Sequence, residues 1–473
     1  MRVLLVHAYL GRDEADGLLY PIAIVTLGTV LKQKGYEVRC LDPNPQNRGY
    51  DPIGEAVKEF QPDVVGISQR NVDTTQLRDP WLYIKTLQPT VDLIRSIKSD
   101  VKIIVGGAAF SLFAEKIVQR TPGIDFGIYQ EGEESLPELL ENLNQPEKVK
   151  GIIIRHQDGS TTFTGHREPP ELGKLPIPDR DLVDPRPYFS TMGSIGIETK
   201  RGCYLRCIYC SYPFLNGANI RQKSPKQIVD EIYFLKDKYE VPGFMFLDSV
   251  FNLPQNHAEE ICNELIRRGN KTPWTAWFDM RNITPEFVKL VREAGCKQLS
   301  FSPDALEENA LKTLRKSFTR KDIDATVKTV SRIPGVRSGY AFFSAPPGTT
   351  PLGYLKMLAF FIRWNLTLVP RKKGGVGLSW IRIEPYTEIE QIALKEGIIT
   401  PETDLLPETE EELLKLFYIH PKMKWTQPIS HFLLDSVNFA ARLMGKKVRH
   451  TGRRSHKGLS DSVSHGINPD NAG

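Results

Sequence analysis

Eleven short apolar runs, separated by segments with helical spacing, constrain the fold of this chain more than any other feature. Five of them, RVLLVHAY, YEVRCLD, DVVGISQ, VKIIVGGAA and DFGIYQEG, lie within the first 145 residues. They are nearly continuous in apolar character, so both faces of each strand have to be covered. Between them, stretches such as 22–34 and 91–98 place apolar residues at helical spacing. This pattern predicts an α/β unit, a Rossmann-like doubly wound parallel sheet over residues 1–148.

Residues 149–190 break the pattern. KGIIIRHQDGSTTFTG reads as a β-hairpin turning at Asp158-Gly159. Six prolines between Pro169 and Pro187 then exclude a helix or a central strand, which predicts an extended linker and a domain boundary. Six further runs follow over residues 191–398: SIGIETK, GFMFLDSVF, WTAWFDMR, KQLSFSPD, SGYAFFSAPP and VGLSWIRIEP. Helices with clear starts fall between several of them. Ser224 and Thr284 are N-cap candidates, each followed by proline in the first turn, and the second helix stops before Gly295. Repeated β-α units of this kind predict a partial (β/α)6 barrel with its chemistry at the carboxyl ends of the strands. Residues 399–448 read as a small helical region and 449–473 as a disordered tail.

The chain has 473 residues, 40% hydrophobic and 25% charged, as expected of a globular enzyme of two or three domains. The start, MRVLLVHAYL, reads as a buried strand rather than a signal peptide, and no apolar run is long enough for a membrane span. The net charge of +5 is concentrated in KKVRHTGRRSHK near the carboxyl end, which leaves the rest near neutral and without a basic face for nucleic acid. A cytoplasmic monomer acting on a small molecule is the expectation. Six cysteines in a chain of this length are not a disulfide framework and suit a reducing compartment. Cys40, Cys262 and Cys296 read as small buried hydrophobes.

The other three cysteines stand in RGCYLRCIYCSYP, at C-x3-C-x2-C, directly after the first strand of the barrel set. Cys203, Cys207 and Cys210 suit an iron–sulfur cube in which three irons are held and the fourth is open to a small molecule. Zinc is the alternative. It requires four ligands, and neither Cys nor His follows within the next 40 residues, so a fourth would have to come from elsewhere in the fold.

Together, this loop with its aromatic Tyr209, the partial barrel, the linker and the Rossmann-like domain resemble the cobalamin-binding branch of the radical S-adenosylmethionine superfamily. VGGAAFS after the fourth strand and YQEGEESLPELL after the fifth are further local matches. The resemblance implies a 4Fe-4S cluster, S-adenosylmethionine on its open iron, and cobalamin over the strand ends of the first sheet. Gly106 and Gly107 are where a corrin edge or nucleotide tail would approach the backbone; an ordinary turn is the alternative. Gln130, Glu131, Gly132 and Glu133 belong to the same contact set, although acids at a helix start are also favoured by its dipole.

The D-x-H-x-x-G signature of a lower cobalt ligand is missing. The first-strand loop is HAYLGRDEADG, with His7 inside the strand and Tyr9 counted among the corrin contacts. The third-strand loop places Arg70 and Asn71 at the sheet edge, and a cobalt face without histidine is expected, with Arg70 beneath it or serving as a salt bridge or cap. For S-adenosylmethionine, the resemblance assigns Asp248 to the aminium group and Ser302 and Asp304 to the ribose. It assigns Ser344, in SAPPGTT, to the region of the adenine and Arg281 to a further contact. Each of these has a helix-capping alternative. Tyr386 is expected to face the substrate as a catalytic residue. Trp274, Trp277 and Phe278 read as barrel core, and His257 and His420 hold no metal.

The activity implied is transfer of a methyl group from methylcobalamin to an unactivated carbon or phosphorus, with electrons from a flavodoxin- or ferredoxin-type donor. Relatives with the same parts carry out cyclisation, ring contraction, other rearrangement or polar methyl transfer, and the residues do not separate these. A non-catalytic redox or cobalamin sensor is the rival of a different class.

Overall fold

The computed structural model describes residues 1–12, 18–190 and 193–443. The basic segment and tail expected beyond 443 lie outside the described residues, as do residues 13–17 of the loop after the first strand.

Two sheets organise the chain. The first contains β1 (Arg2–His7), β2 (Glu37–Leu41), β3 (Val64–Ser68), β4 (Lys102–Gly106), β5 (Phe126–Ile128), β6 (Ile152–Arg155) and β7 (Thr161–Phe163), in the order 2-1-3-4-5-6-7. The five strands β1–β5 are parallel, the doubly wound order, with the switch point between β1 and β3. Val3, Leu4, Val6, Val64, Val65, Ile103 and Val105 are fully buried, as continuous apolar strands require. The hairpin is not part of the linker. β6 pairs antiparallel with β5, Gly127 opposite Ile153, and extends the sheet. Ile152 and Ile153 are fully buried and Ile154 nearly so, and a strand that apolar on both faces needs a sheet to join.

The proline-rich stretch is less extended than expected. It forms three short 3-10 turns, Leu172–Lys174, Arg180–Leu182 and Arg186–Tyr188, pinned to both domains. Tyr188 donates to Asp42 of the first domain at 2.5 Å. Arg180, wholly buried, donates to the Gly196 carbonyl at 2.8 Å and pairs with Glu231 of the second. Prolines fix the turns, but side chains distant in sequence make this connector rigid.

The second domain begins with β8 (Gly196–Ile197) and the short antiparallel pair β9 (Lys200–Arg201) and β10 (Arg221–Gln222). β11 (Phe244–Phe246), β12 (Trp274–Phe278), β13 (Cys296–Asp304), β14 (Arg337–Phe343) and β15 (Gly374–Ser379) follow, and the all-parallel order 15-14-13-12-11-8 makes an open, partial (β/α)6 barrel. The helix Pro225–Tyr239 starts as read, with Ser224 and Gln227 closing a capping box, and Thr284 accepts from the Phe287 amide at the head of Pro285–Glu293. Helix Thr426–Leu443 packs across the far edge, where Ser430 meets Ser344. Among the described residues no helix is long and apolar enough to cross a membrane.

Candidate functional site

The three-cysteine loop is tied off by β9 and β10, whose pairing sets Arg201 opposite Arg221. Gly202 must be glycine. Its φ is +91°, and a Cβ there would lie 2.0 Å from the Asn219 carbonyl oxygen. Cys203 donates its amide to the Gly217 carbonyl at 3.1 Å, and Cys210 to the Cys207 carbonyl at 3.1 Å, so a compact turn presents three half-buried thiols. Burial pushes the Cys210 thiol up to about 12 and raises Cys207, with Lys316 opposing at Cys207. Among the described residues no three His, Cys, Asp or Glu side chains converge on one ion position; a cube asks for thiols at separate corners.

Behind the turn, Tyr209 donates its hydroxyl to Asp304, and Lys316 lies 2.6 Å from Asp304 and 3.3 Å from the Tyr209 oxygen. Asp304 ends β13 with φ +65°. This trio fastens the third cysteine to the barrel through one oxygen of Asp304. Burial raises the Asp304 pKa in spite of Lys316. Lys316 carried no sequence signal, because its partners stand 12 and 107 residues away.

The expectation for Asp248 is corrected. Its oxygens accept from the Thr199 amide (3.0 Å) and hydroxyl (2.6 Å), and from the Lys200 amide (3.3 Å) and ammonium (2.8 Å). A carboxylate offers about four acceptor sites, so none is left for an aminium. Asp248 is a structural anchor at the root of the cysteine loop. Ser344 is likewise unavailable: it is buried, 2.6 Å from Ser430, whose hydroxyl lies 2.8 Å from Tyr354. Arg281 is held by Asp279 at 2.9 Å beside Tyr204 of the cysteine loop. Ser302 sits half-buried on β13.

Three cavities meet the strand ends. The first, about 650 Å³, has Tyr209, Cys210, Ser211 and Tyr212 as one wall and residues 75–78 of the first domain as another, with Phe343, Leu378, Trp380 and Glu384 between them. Ser211 donates to Glu384 at 2.6 Å, and burial pushes the Glu384 carboxyl above its ordinary range. Nearby, Arg382 meets Asp73 at 3.1 Å, a buried pair joining the two domains. Tyr386 does not face this cavity. It is 61% exposed, stacks on Phe214 at 4.1 Å and borders a separate cavity with Tyr129 and His166. Glu384, two residues earlier in the same segment, lines the first cavity instead.

The second cavity, about 250 Å³, runs into the first domain between Leu5, Gly66, Ile104 and Ile128. Gly106, Gly107, Gln130, Glu131, Gly132 and Glu133 all line it. Gly107 has φ +108°, and a Cβ would meet the Gln69 carbonyl oxygen at 2.6 Å; at Gly66 it would meet Leu5 at 2.7 Å. The third, about 200 Å³, lies at the ends of β1 and β3 and includes Arg70 and Asn71. Among the described residues Arg70 pairs with no carboxylate; although solvent reaches it, desolvation lowers its pKa. His7, which lines the third cavity, stands 3.2 Å from Asp42, and Tyr9 packs edge-on against Tyr50 at 4.9 Å.

Comparisons with known proteins follow the same division. Residues 10–140 match the B12 binding domain and 197–340 the Radical SAM superfamily, one on each sheet. The chain therefore belongs to the cobalamin-binding radical S-adenosylmethionine enzymes. It is 25% identical over 447 residues to an uncharacterised methyltransferase of Pyrococcus horikoshii, covering 85% of this chain and 88% of the relative. It is 26% identical over 466 residues to the cytidylyl-2-hydroxyethylphosphonate methyltransferase of Streptomyces wedmorensis, covering 85% and 84%. The solved structure of the radical S-adenosylmethionine methyltransferase TsrM from Kitasatospora setae, with cobalamin and a 4Fe-4S cluster bound, shares the fold. Its TM-score is 0.70 at 22% identity, covering 85% of this chain and 76% of that one.

Proposed function

We propose that this enzyme transfers a methyl group from a cobalamin to an unactivated carbon or phosphorus of a small molecule or natural product. The observation that carries this reading is the cavity of about 650 Å³ in which the turn after Cys210 faces a loop of the B12 domain. Reactive partners held on the two sheets can meet there. The bound cofactors would supply reductive cleavage of S-adenosylmethionine and the transferable methyl group.

The residues present fit these groups. Cys203, Cys207 and Cys210 would hold the cluster, and the Tyr209–Asp304–Lys316 trio would keep the third cysteine in place. The narrow apolar cavity bounded by Gly66, Gly106 and Gly107 suits a flat heterocycle such as the tail of a corrinoid, with Arg70 and Asn71 near its ring. Phe343, Leu378 and Trp380 exclude water from the reaction cavity, and Glu384 with Ser211 offers the polar contact that orients a substrate. A cytoplasmic monomer reduced by a flavodoxin or ferredoxin completes the reading.

Anaerobic reconstitution tests it, with iron, sulfide and corrin absorbance measured on the purified protein. The protein is then incubated with methyl-deuterated S-adenosylmethionine, a reductant and a small-molecule extract. A labelled methyl group in a product is expected. A product rearranged or cyclised without the label would replace methyl transfer by the alternative chemistry. Failure to bind any corrin would overturn the reading.

A further inference from the structure

The turn between β5 and the helix Gly132–Glu141 reaches out of the B12 domain and grips the cysteine loop at both ends. Glu131 accepts from Arg201 at 2.8 Å and from Arg221 at 2.9 Å, the two residues that face each other across β9 and β10. Arg201 also meets Glu133 and Glu198, each at 2.7 Å. On the far side of the loop, Gln130 Nε2 donates to the Phe214 carbonyl at 2.6 Å. Between these anchors lie all three cysteines, the first of them two residues beyond Arg201. The side chains of Glu131, Glu133 and Arg201 are 9%, 6% and 11% exposed, so salt screens them little and loss of one partner strands a buried charge.

The same side chains form one end of the apolar cavity in the B12 domain. Glu131, Glu133, Glu198 and Arg201 line it together with Ile104 and Ile128. There, among the described residues, one carboxylate oxygen of Glu133 is buried without a hydrogen-bond partner. Whatever fills the cavity therefore touches the group that holds the cysteine loop.

We propose that this clamp couples the two cofactor sites. A corrinoid tail in the cavity holds Glu131 and Glu133 against Arg201 and Arg221, and so keeps the loop in its cluster-binding shape. Cluster assembly in turn tightens corrinoid binding. Arg201, Arg221, Glu131 and Glu133 are positioning residues, and the inference rests on reading the cavity as the corrinoid site. Coupling between binding equilibria is reciprocal, so one factor governs both directions.

The test measures that factor twice, without turnover. Hydroxocobalamin is titrated by absorbance into cluster-loaded and cluster-free protein, and iron retention at equilibrium with a graded ferrous chelator is followed with and without hydroxocobalamin. The wild-type protein should show the same factor both ways, about fivefold or more, the lower end of typical couplings. In Glu131→Gln it should fall towards one while both cofactors still bind. If Glu131→Gln does not assemble, Arg221→Lys, which weakens the grip on Glu131, is held to the same criteria. A wild-type factor of one, or a variant that keeps the wild-type factor, overturns the coupling. Both cofactors binding without linkage sinks only this inference; no corrin binding at all sinks the functional reading itself.

Discussion

The carboxyl edges of the two sheets are built in opposite ways. On the barrel edge, the carboxylates that resemblance assigned to a ligand already hold the fold: Asp248 is saturated by Thr199 and Lys200, and one oxygen of Asp304 is held by Tyr209 and Lys316. On the first sheet the edge is shaped by what is missing. Gly66, Gly106 and Gly107 leave space, and among the described residues Arg70 stands without a carboxylate. The lesson is that the barrel edge offers a rigidly braced loop, whereas the Rossmann-like sheet offers vacated volume. Buried charge is costly unless paired, so an edge rich in acids spends them on itself.

The largest effect should come from the loop itself. Cys207→Ala should lose the cluster and bring 5′-deoxyadenosine release below detection while hydroxocobalamin binding persists; chelator-based iron counts and absorbance check this. A variant that keeps its full iron would break the ligand assignment.

Next is Asp248→Asn, which leaves Lys200 buried without its charge partner and should destabilise folding by about 3–5 kcal/mol, read as a lower denaturant midpoint. An unchanged midpoint with a weakened S-adenosylmethionine affinity would return Asp248 to ligand duty and erase the contrast. On the other edge, Gly66→Val should weaken hydroxocobalamin binding about tenfold or more by filling the cavity, and leave iron content near the wild-type value. Equal loss of both would show that the two edges fail together.

The smallest effects sharpen the choice within the sixth strand's segment. Tyr386→Leu should change product formation less than about twofold, as an exposed residue outside the cavity. Glu384 is the reverse case. Its folded pKa is raised, so its contribution to stability is full below the ordinary glutamate range and lost as pH rises through the raised value. Glu384→Gln should therefore gain stability relative to wild type as pH goes from acid towards neutral, visible as a widening difference in Tm. A difference that stays flat with pH would mean the carboxyl titrates normally.

Much of this was legible in the chain. The three cysteines, the glycine pair, the acidic turn and both sheets are local patterns, and each appeared where spacing and periodicity put it. What escaped were partners. Lys316 and Arg201 look like ordinary surface cations in the sequence, yet Lys316 is buried against Asp304 and Tyr209, and Arg201 against Glu131 and Glu133 of the first domain. Ser344 read as a strand-end hydroxyl and proved to be sealed by Ser430, 86 residues later. The hairpin was seen as a hairpin, but its membership in the first sheet depends on an edge that only β5 supplies.

Short-range order follows from backbone sterics, side-chain periodicity and the reach of a few residues, and the sequence by itself determined that much: two α/β units and a three-thiol loop at a strand end. Which carboxylate is free to bind and which is spent on the fold is a question of pairing across 12 to 309 residues. Only the packed structure decided it, because the cost of an unpaired buried charge is settled by neighbours that folding brings together.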